Sequence, residues 1–336
     1  MTGESVKKPK ILVVGSFMMD LISSAERVPN LGETVIGISF NTASGGKGAN
    51  QAVQCARLGA DVAMLGCVGK DSFGDEMLSA VSASGVDVRR VKRSGEHSSG
   101  VGNIQLQVSE QTAQNRIMVI PGANYDLKTE DMEWLREGIK EFDMLMLQLE
   151  LSMDVTKFAA RCAYEAGVPV MLNPAPACLL DKELLECITY LSPNEHEAAL
   201  LSGHKLRADD NGVNKEDLKA VAAILKGYGA DKIIITLGSN GSAIVNEDAV
   251  LCTDCVRMDK VVDPTAAGDS FIAAFCTGVA SGLDEPAALR FASYTAAITV
   301  CGIGALPSLP ELEQVKQLIR DRGDNELLES LKGVLA

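Results

Sequence analysis

Aromatic side chains are scarce in this sequence of 336 residues: Phe, Tyr and Trp make up 4% of it, with a single Trp. Hydrophobic residues still reach 46%. A large core must therefore be built from Ala, Val, Leu and Ile, a composition that suits parallel strands covered by helices. Long apolar runs are lacking as well. Ile11-Leu12-Val13-Val14 is too short for a signal core and reads as a strand, and no segment approaches the roughly 18 apolar residues of a membrane span. This argues against a membrane protein and for a cytoplasmic one, an organellar location staying open. Positive charge is in deficit, with 31 Lys and Arg against 45 Asp and Glu, a net charge of −14. Such a chain repels a polyphosphate backbone, so nucleic acid is not the expected partner. The nine cysteines lack a pattern. Only Cys252-x-x-Cys255 is a close pair, and structural zinc needs four ligands, so they read as reduced, mostly buried thiols. His97, His196 and His204 form no visible constellation and receive no chemistry.

What is present is alternation. Strands are expected at 11–14, 61–68, 144–149, 168–172, 190–192, 232–237 and 241–245. Helices are expected at 51–58, 73–84, 155–166, 195–202, 216–228, 269–281 and 285–302, with two amphipathic helices after 309. This order predicts an α/β fold with a central, mostly parallel sheet and helices on both faces. Two β-rich pieces interrupt it. Residues 33–44 alternate loosely, and 98–107 with 115–120 read as a hairpin turning near Ser109-Glu110-Gln111. The expected division is a main domain of residues 1–15, 45–97 and 122–336, with a small β-sheet lid from 16–44 and 98–121. In open parallel sheets ligands gather at the carboxyl ends of the strands, where the loops 15–20, 148–150, 173–176, 193–197, 236–241 and 263–269 fall.

The segment Asp263-Pro264-Thr265-Ala266-Ala267-Gly268-Asp269 follows the strand-like Val261-Val262 and opens an apolar helix. Its small residues let a ligand approach the backbone, and their amides suit a phosphate at a helix N-terminus. A carboxylate at that spot repels the phosphate unless it has a task, such as taking a proton from an acceptor hydroxyl. On these residues alone, Asp263 and Asp269 could equally cap the turn and the helix.

The chain resembles the ribokinase-like (PfkB) sugar kinases. The resemblance rests on six ordered blocks over roughly residues 10–310: Gly45-Gly46-Lys47-Gly48-Ala49-Asn50-Gln51, Gln148-Leu149-Glu150, Asn173-Pro174-Ala175-Pro176-Ala177, Asn194-x-x-Glu197, Thr236-Leu237-Gly238-Ser239-Asn240-Gly241 and the 263–271 segment. It implies transfer of phosphate from ATP to the primary (5-) hydroxyl of D-ribose. Asp269 is then the general base, and Ala266, Ala267 and Gly268 form the anion hole. Met18, Asp20, Gly46, Lys47, Gly48, Asn50 and Glu150 fall on sugar positions. Asn194, Thr236, Gly238, Ser239, Gly241, Gly268 and Ser293 fall on ATP positions. Glu197 acts in the Mg²⁺ network through water. Asp263, Thr265, Thr299, Gly302, Gly304 and Ser308 match a K⁺ site, and the lid implies a homodimer.

Two residues depart from the pattern. Pro264 replaces a common Thr and removes an amide. Met18 replaces an Asn and cannot donate to a hydroxyl, which leads us to expect that deoxyribose is tolerated. Kinases of other polyols or nucleosides, and a non-catalytic sugar or nucleotide sensor, are the alternatives. A dinucleotide dehydrogenase is disfavoured because Gly15-Ser16-Phe17-Met18 does not fit Gly-x-Gly-x-x-Gly.

Overall fold

The structure is a computed structural model that describes residues 8–108, 113–209, 212–245 and 250–335. Its centre is an eight-stranded sheet. In spatial order the strands are Val250–Thr253, Ser242–Val245, Lys232–Thr236, Tyr190–Leu191, Val170–Leu172, Met144–Leu147, Lys10–Val14 and Asp61–Leu65. From Lys232–Thr236 to Asp61–Leu65 every pairing is parallel. The other edge departs from the expected alternation. Ser242–Val245 returns antiparallel to Lys232–Thr236, and Val250–Thr253, which the pattern did not indicate, adds a second antiparallel strand.

The first strand shows why the sheet is covered twice. Ile11 and Val13 belong to one core and Leu12 and Val14 to the other, because successive side chains point to opposite faces. The first core is closed by the helices Lys47–Arg57, Ala267–Ser281 and Glu285–Thr299, the second by Met153–Ala166 and Lys215–Gly227. All four large residues of that strand are buried to within 1%. At about 25 cal/mol per Å² such burial dominates the stabilisation of a fold.

A separate four-stranded sheet has the order Ser39–Gly45, Met18–Ala25, Val101–Val108, Ala113–Ile120. The β-rich stretch expected from residue 33 is strand only from Ser39. The turn expected at Ser109-Glu110-Gln111 lies outside the described residues. Residues 122–141, unassigned from sequence, are short helical turns. Each helix expected from sequence is found within a few residues of its expected ends, the ordinary uncertainty of a helix terminus. All nine cysteines are free. Among the described residues no helix is long and apolar enough to cross a membrane.

Candidate active site

The site is built where two loops meet backbone to backbone. A Cβ on Gly48 would stand 2.5 Å from the Ser16 nitrogen and 2.6 Å from the Gly15 Cα. Only glycine lets the helix Lys47–Arg57 start against the end of the first strand. Gly46, its N-cap, has φ 99°, the left-handed region that glycine enters without strain. This contact brings residues 46–51 beside residues 15–20.

At one end of the resulting pocket, Lys47 N–H donates to Glu150 Oε2 at 3.0 Å, and the Ser16 hydroxyl donates to the same oxygen. Asp20 enters from the small sheet. Its Oδ2 and Asn50 Oδ1 lie 3.4 and 3.8 Å from the point where a Cβ on Gly45 would stand. Burial, and secondarily the Glu150 charge, push the Asp20 carboxyl up to about 6. Asn50 Oδ1 is buried and has no hydrogen-bond partner. An unpartnered buried acceptor costs about 1–3 kcal/mol, so this atom suits an incoming hydroxyl. Met18 is 4% exposed, with Sδ 3.8 Å from the Asn124 amide nitrogen. The same amide nitrogen donates to Phe17 O at 2.8 Å, while Asn124 Oδ1 accepts from Phe17 N at 3.0 Å. Asn124 thus pins the backbone just before Met18 and Asp20. Nothing in the sequence marked it.

Asp269 sits at the boundary between this pocket and the next. It is 7% exposed, with Oδ2 accepting from Asn50 Nδ2 at 2.9 Å and Oδ1 from Gln51 Nε2 at 3.1 Å. So it is not the cap that the local reading allowed. The N-cap of its helix, Ala267–Ser281, is Ala266 with φ 62°, the single non-glycine residue with positive φ among the described residues. A residue held there costs about 1 kcal/mol or more and is concentrated at functional turns. Ala267 N–H turns back on Pro264 O at 3.2 Å. A Cβ on Gly268 would meet nothing within 4 Å, so space lies open above this helix start, where amides lack intrahelical partners.

That space is a cleft of about 230 Å³, lined among others by Lys47, Asn194, Glu197, Thr236, Gly268 and Asp269. Pro264, Ala266, Asn173 and Ser192 also face it. Asn194 and Glu197 cap each other reciprocally, Asn194 N donating to Glu197 Oε2 at 2.8 Å and Glu197 N to Asn194 Oδ1 at 2.9 Å. The bond to the Asn194 amide uses Oε2, and Oε1 is the Glu197 oxygen outside the cap. Burial raises the Glu197 carboxyl, a rise that the Asn194 amide and Lys47 oppose and Asp269 assists. Burial works to lower the Lys47 ammonium, but Asp269, Glu150 and Glu197 together outweigh it and the net shift is upward. Lys47 is thus a cation held among three carboxylates, which suits the polyanion the cleft would receive. One carboxylate and water is a donor set of the kind Mg²⁺ takes, so Glu197 and Asn194 fit that ion.

Gly238, Ser239 and Gly241 form the turn beyond Thr236, and Ser293 is buried within the helix Glu285–Thr299; none of the four lines the cleft. The residues expected around K⁺ fall in two groups, Asp263 with Thr265 and Gly304, and Gly302 with Ser308 and Thr299. Asp263 Oδ1 accepts from Thr265 N and Oδ2 from Gly304 N, both at 2.9 Å. Ser308 packs within 3 Å of a Cβ placed on Gly302, and Thr299 is fully buried. Burial of Asp263 works upward, and the Thr265 and Gly304 bonds overcome it to lower this carboxyl. A larger, open groove of about 470 Å³ beside Glu313 and Gln317 contains none of the residues named so far. His97 and His204 do have partners, Asp126 at 2.7 Å and Asp217 at 3.1 Å, both away from the cleft.

Residues 8–312 match the family described as pfkB family carbohydrate kinase. The ribokinase of Schizosaccharomyces pombe is 41% identical over 314 residues, covering 91% of this chain and 96% of that protein. The deoxyribokinase of Salmonella typhi is 34% identical over 310 residues, covering 92% and 98%. Among solved structures, Arabidopsis thaliana ribokinase complexed with ribose and ATP superposes with a TM-score of 0.85 at 31% identity, covering 94% of this chain and 99% of that one.

Proposed function

The chain belongs to the pfkB family of carbohydrate kinases, and we propose that it transfers the terminal phosphoryl group of ATP to the primary (5-) hydroxyl of D-ribose. One observation carries this reading: Asp269 is shared between a pocket of hydroxyl-binding groups and the open start of a helix. In the reaction, Asp269 takes the proton of the attacking hydroxyl. The sugar oxygen then bonds to the γ-phosphorus as the bond to the β-γ bridging oxygen breaks, and ADP leaves. Asp20, Glu150 and Asn50 orient the sugar, and the amides of Ala266, Gly268 and Asp269 with Lys47 hold the phosphate charge, the Ala267 amide being turned to Pro264 O. Mg²⁺, held through Glu197 and Asn194 with water, supplies further charge neutralisation when bound. K⁺ would sit among Asp263, Thr265, Thr299, Gly302, Gly304 and Ser308, where a carboxylate and hard backbone oxygens suit it.

The small sheet closes over the sugar and pairs with a second copy. On its Asp20 face lie Ile22, Ile104, Ile117 and Val119, aligned in register. Ile117 and Val119 are 57% and 50% exposed, which favours a covering partner. A cytoplasmic enzyme is consistent with nine free cysteines. Met18 favours a second acceptor, 2-deoxyribose: a thioether offers no donor to a 2-hydroxyl, so its loss leaves nothing unpaired. The test of the main reading is ADP release coupled to a spectroscopic signal, with ribose, ATP and Mg²⁺. Ribose-dependent ADP release is expected, and Asp269→Asn should lose at least ~10²-fold in kcat, the scale of general-base catalysis. Full activity in that variant refutes the assignment of the base.

A further inference from the structure

We infer that Gln51, fixed in turn by Gln148, is a positioning residue that keeps the Asp269 carboxylate aimed at the acceptor hydroxyl. The inference rests on the reading of Asp269 as the base. Gln51 is 0% and Gln148 1% exposed. Gln148 Nε2 donates to Gln51 Oε1 at 2.6 Å. That bond commits the Gln51 oxygen and therefore decides which way its amide faces. Gln51 Nε2 then has two hydrogens to give. One goes to Asp269 Oδ1 at 3.1 Å and the other to Asn173 Oδ1 at 3.3 Å, while Asn173 Nδ2 donates to Ser192 O at 3.3 Å. The acceptors on both sides leave this amide a single satisfied orientation.

The two donors to Asp269 differ in what substrate does to them. Asn50 lies over Gly45 beside Asp20, where the sugar binds, and its bond to Oδ2 competes with substrate. Gln51 is fully buried, which keeps it from solvent and from an entering sugar, and it donates to Oδ1. With Oδ1 held, the free lone pairs of Oδ2 turn to the hydroxyl. A donor to the charged form also favours that form, and a base must be unprotonated to act. The charged groups facing Asp269 are Lys47 and Glu197, with Glu150 and Asp20 grouped at the sugar end. None of them replaces the Gln51 donor on the Oδ1 side.

The experiment measures pH profiles of kcat and kcat/KM for ribose phosphorylation in wild type, Gln51→Glu and Gln148→Leu. Gln51→Glu keeps the side-chain shape while replacing the amide donor by a carboxyl that must hold a proton to donate to Asp269. Its acidic limb is expected to move to higher pH by about one unit, with kcat at neutral pH reduced roughly 10- to 100-fold and KM for ATP within about twofold. Gln148→Leu leaves the Gln51 amide in place but free to turn, so it should show a smaller displacement in the same direction. It also guards against a folding defect in Gln51→Glu. An acidic limb that stays within a few tenths of a unit in a folded variant overturns the inference, even if kcat falls. Asp269→Asn separates the two levels: if it retains activity the base reading itself falls, and if it is inactive while both glutamine variants keep the wild-type profile only the positioning role falls.

Discussion

Replacing Asp20 by Asn should stabilise the free enzyme at neutral pH while weakening its hold on sugar. The carboxyl is raised from 3.8 to about 6, by burial first and by Glu150 second. A shift of about 2 units corresponds to ~3 kcal/mol at ~1.4 kcal/mol per unit. Solvent reaches part of Asp20, so screening reduces this to ~1–2 kcal/mol. The sign follows from proton binding. Between about 4 and 6 the folded state holds more protons on this group than the unfolded state, so stability is lost as the pH rises through that window. Asn resembles the neutral acid and suffers no such loss. Thermal unfolding at pH 8 should therefore show Asp20→Asn melting a few °C above wild type. Below about pH 3 the difference should largely vanish, because both states of the wild type are then protonated. Ribose reverses the ranking: its hydroxyls donate to the ionised carboxylate, so the ribose-induced rise in Tm should be large in wild type above pH 6 and small in the variant. An Asn variant no more stable at pH 8, or a gap of equal size at both pH values, refutes the reasoning.

Changing Met18→Asn supplies a donor where the thioether has none, and should raise the ratio of kcat/KM for ribose over 2-deoxyribose about tenfold, the worth of one hydrogen bond; an unchanged ratio removes the case for deoxyribose as an acceptor. In Asp263→Asn, the turn that links Thr265 and Gly304 loses its charge, so the activation seen on exchanging Na⁺ for K⁺ should largely disappear while activity in Na⁺ changes little; persistence of full K⁺ activation places the ion elsewhere. Ala266→Gly relieves the left-handed φ of 62° and should stabilise the fold by ~0.5–1 kcal/mol, read as a shift in the denaturation midpoint; a destabilised variant contradicts the strain argument. Ile117→Lys puts a charge on the exposed apolar face of the small sheet, and light scattering should then report a monomer against the dimer proposed for the wild type; a dimer undisturbed by the substitution relocates the interface.

Much of the architecture could be read from periodicity because each parallel strand is short, apolar and closed by a loop of its own. The outermost antiparallel strand escaped that reading, while its neighbour Ser242–Val245 was expected. Val250–Thr253 is a four-residue edge strand with Leu251 37% exposed, so it lacks the fully buried run that marks a central strand. The helix-start chemistry at 266–269 was legible because it is local: small residues, a glycine and a carboxylate within four positions. What the sequence hid is all long-range. Gln51 meets Asp269 across 218 residues and Asn124 meets Phe17 across 107, and neither pairing leaves a spacing to recognise. The raised carboxyl of Asp20 depends on burial and on Glu150, which only the fold brings near. Asn50 makes the same point from the other side. Its position in the motif suggested a sugar ligand, while the structure shows its nitrogen on Asp269 and its oxygen buried without a partner. One side chain therefore couples the proposed base, Asp269, to the pocket that holds Asp20. A hydroxyl that satisfies Asn50 Oδ1 arrives next to Oδ2 of Asp269, so acceptor binding and alignment of the base become a single geometric event.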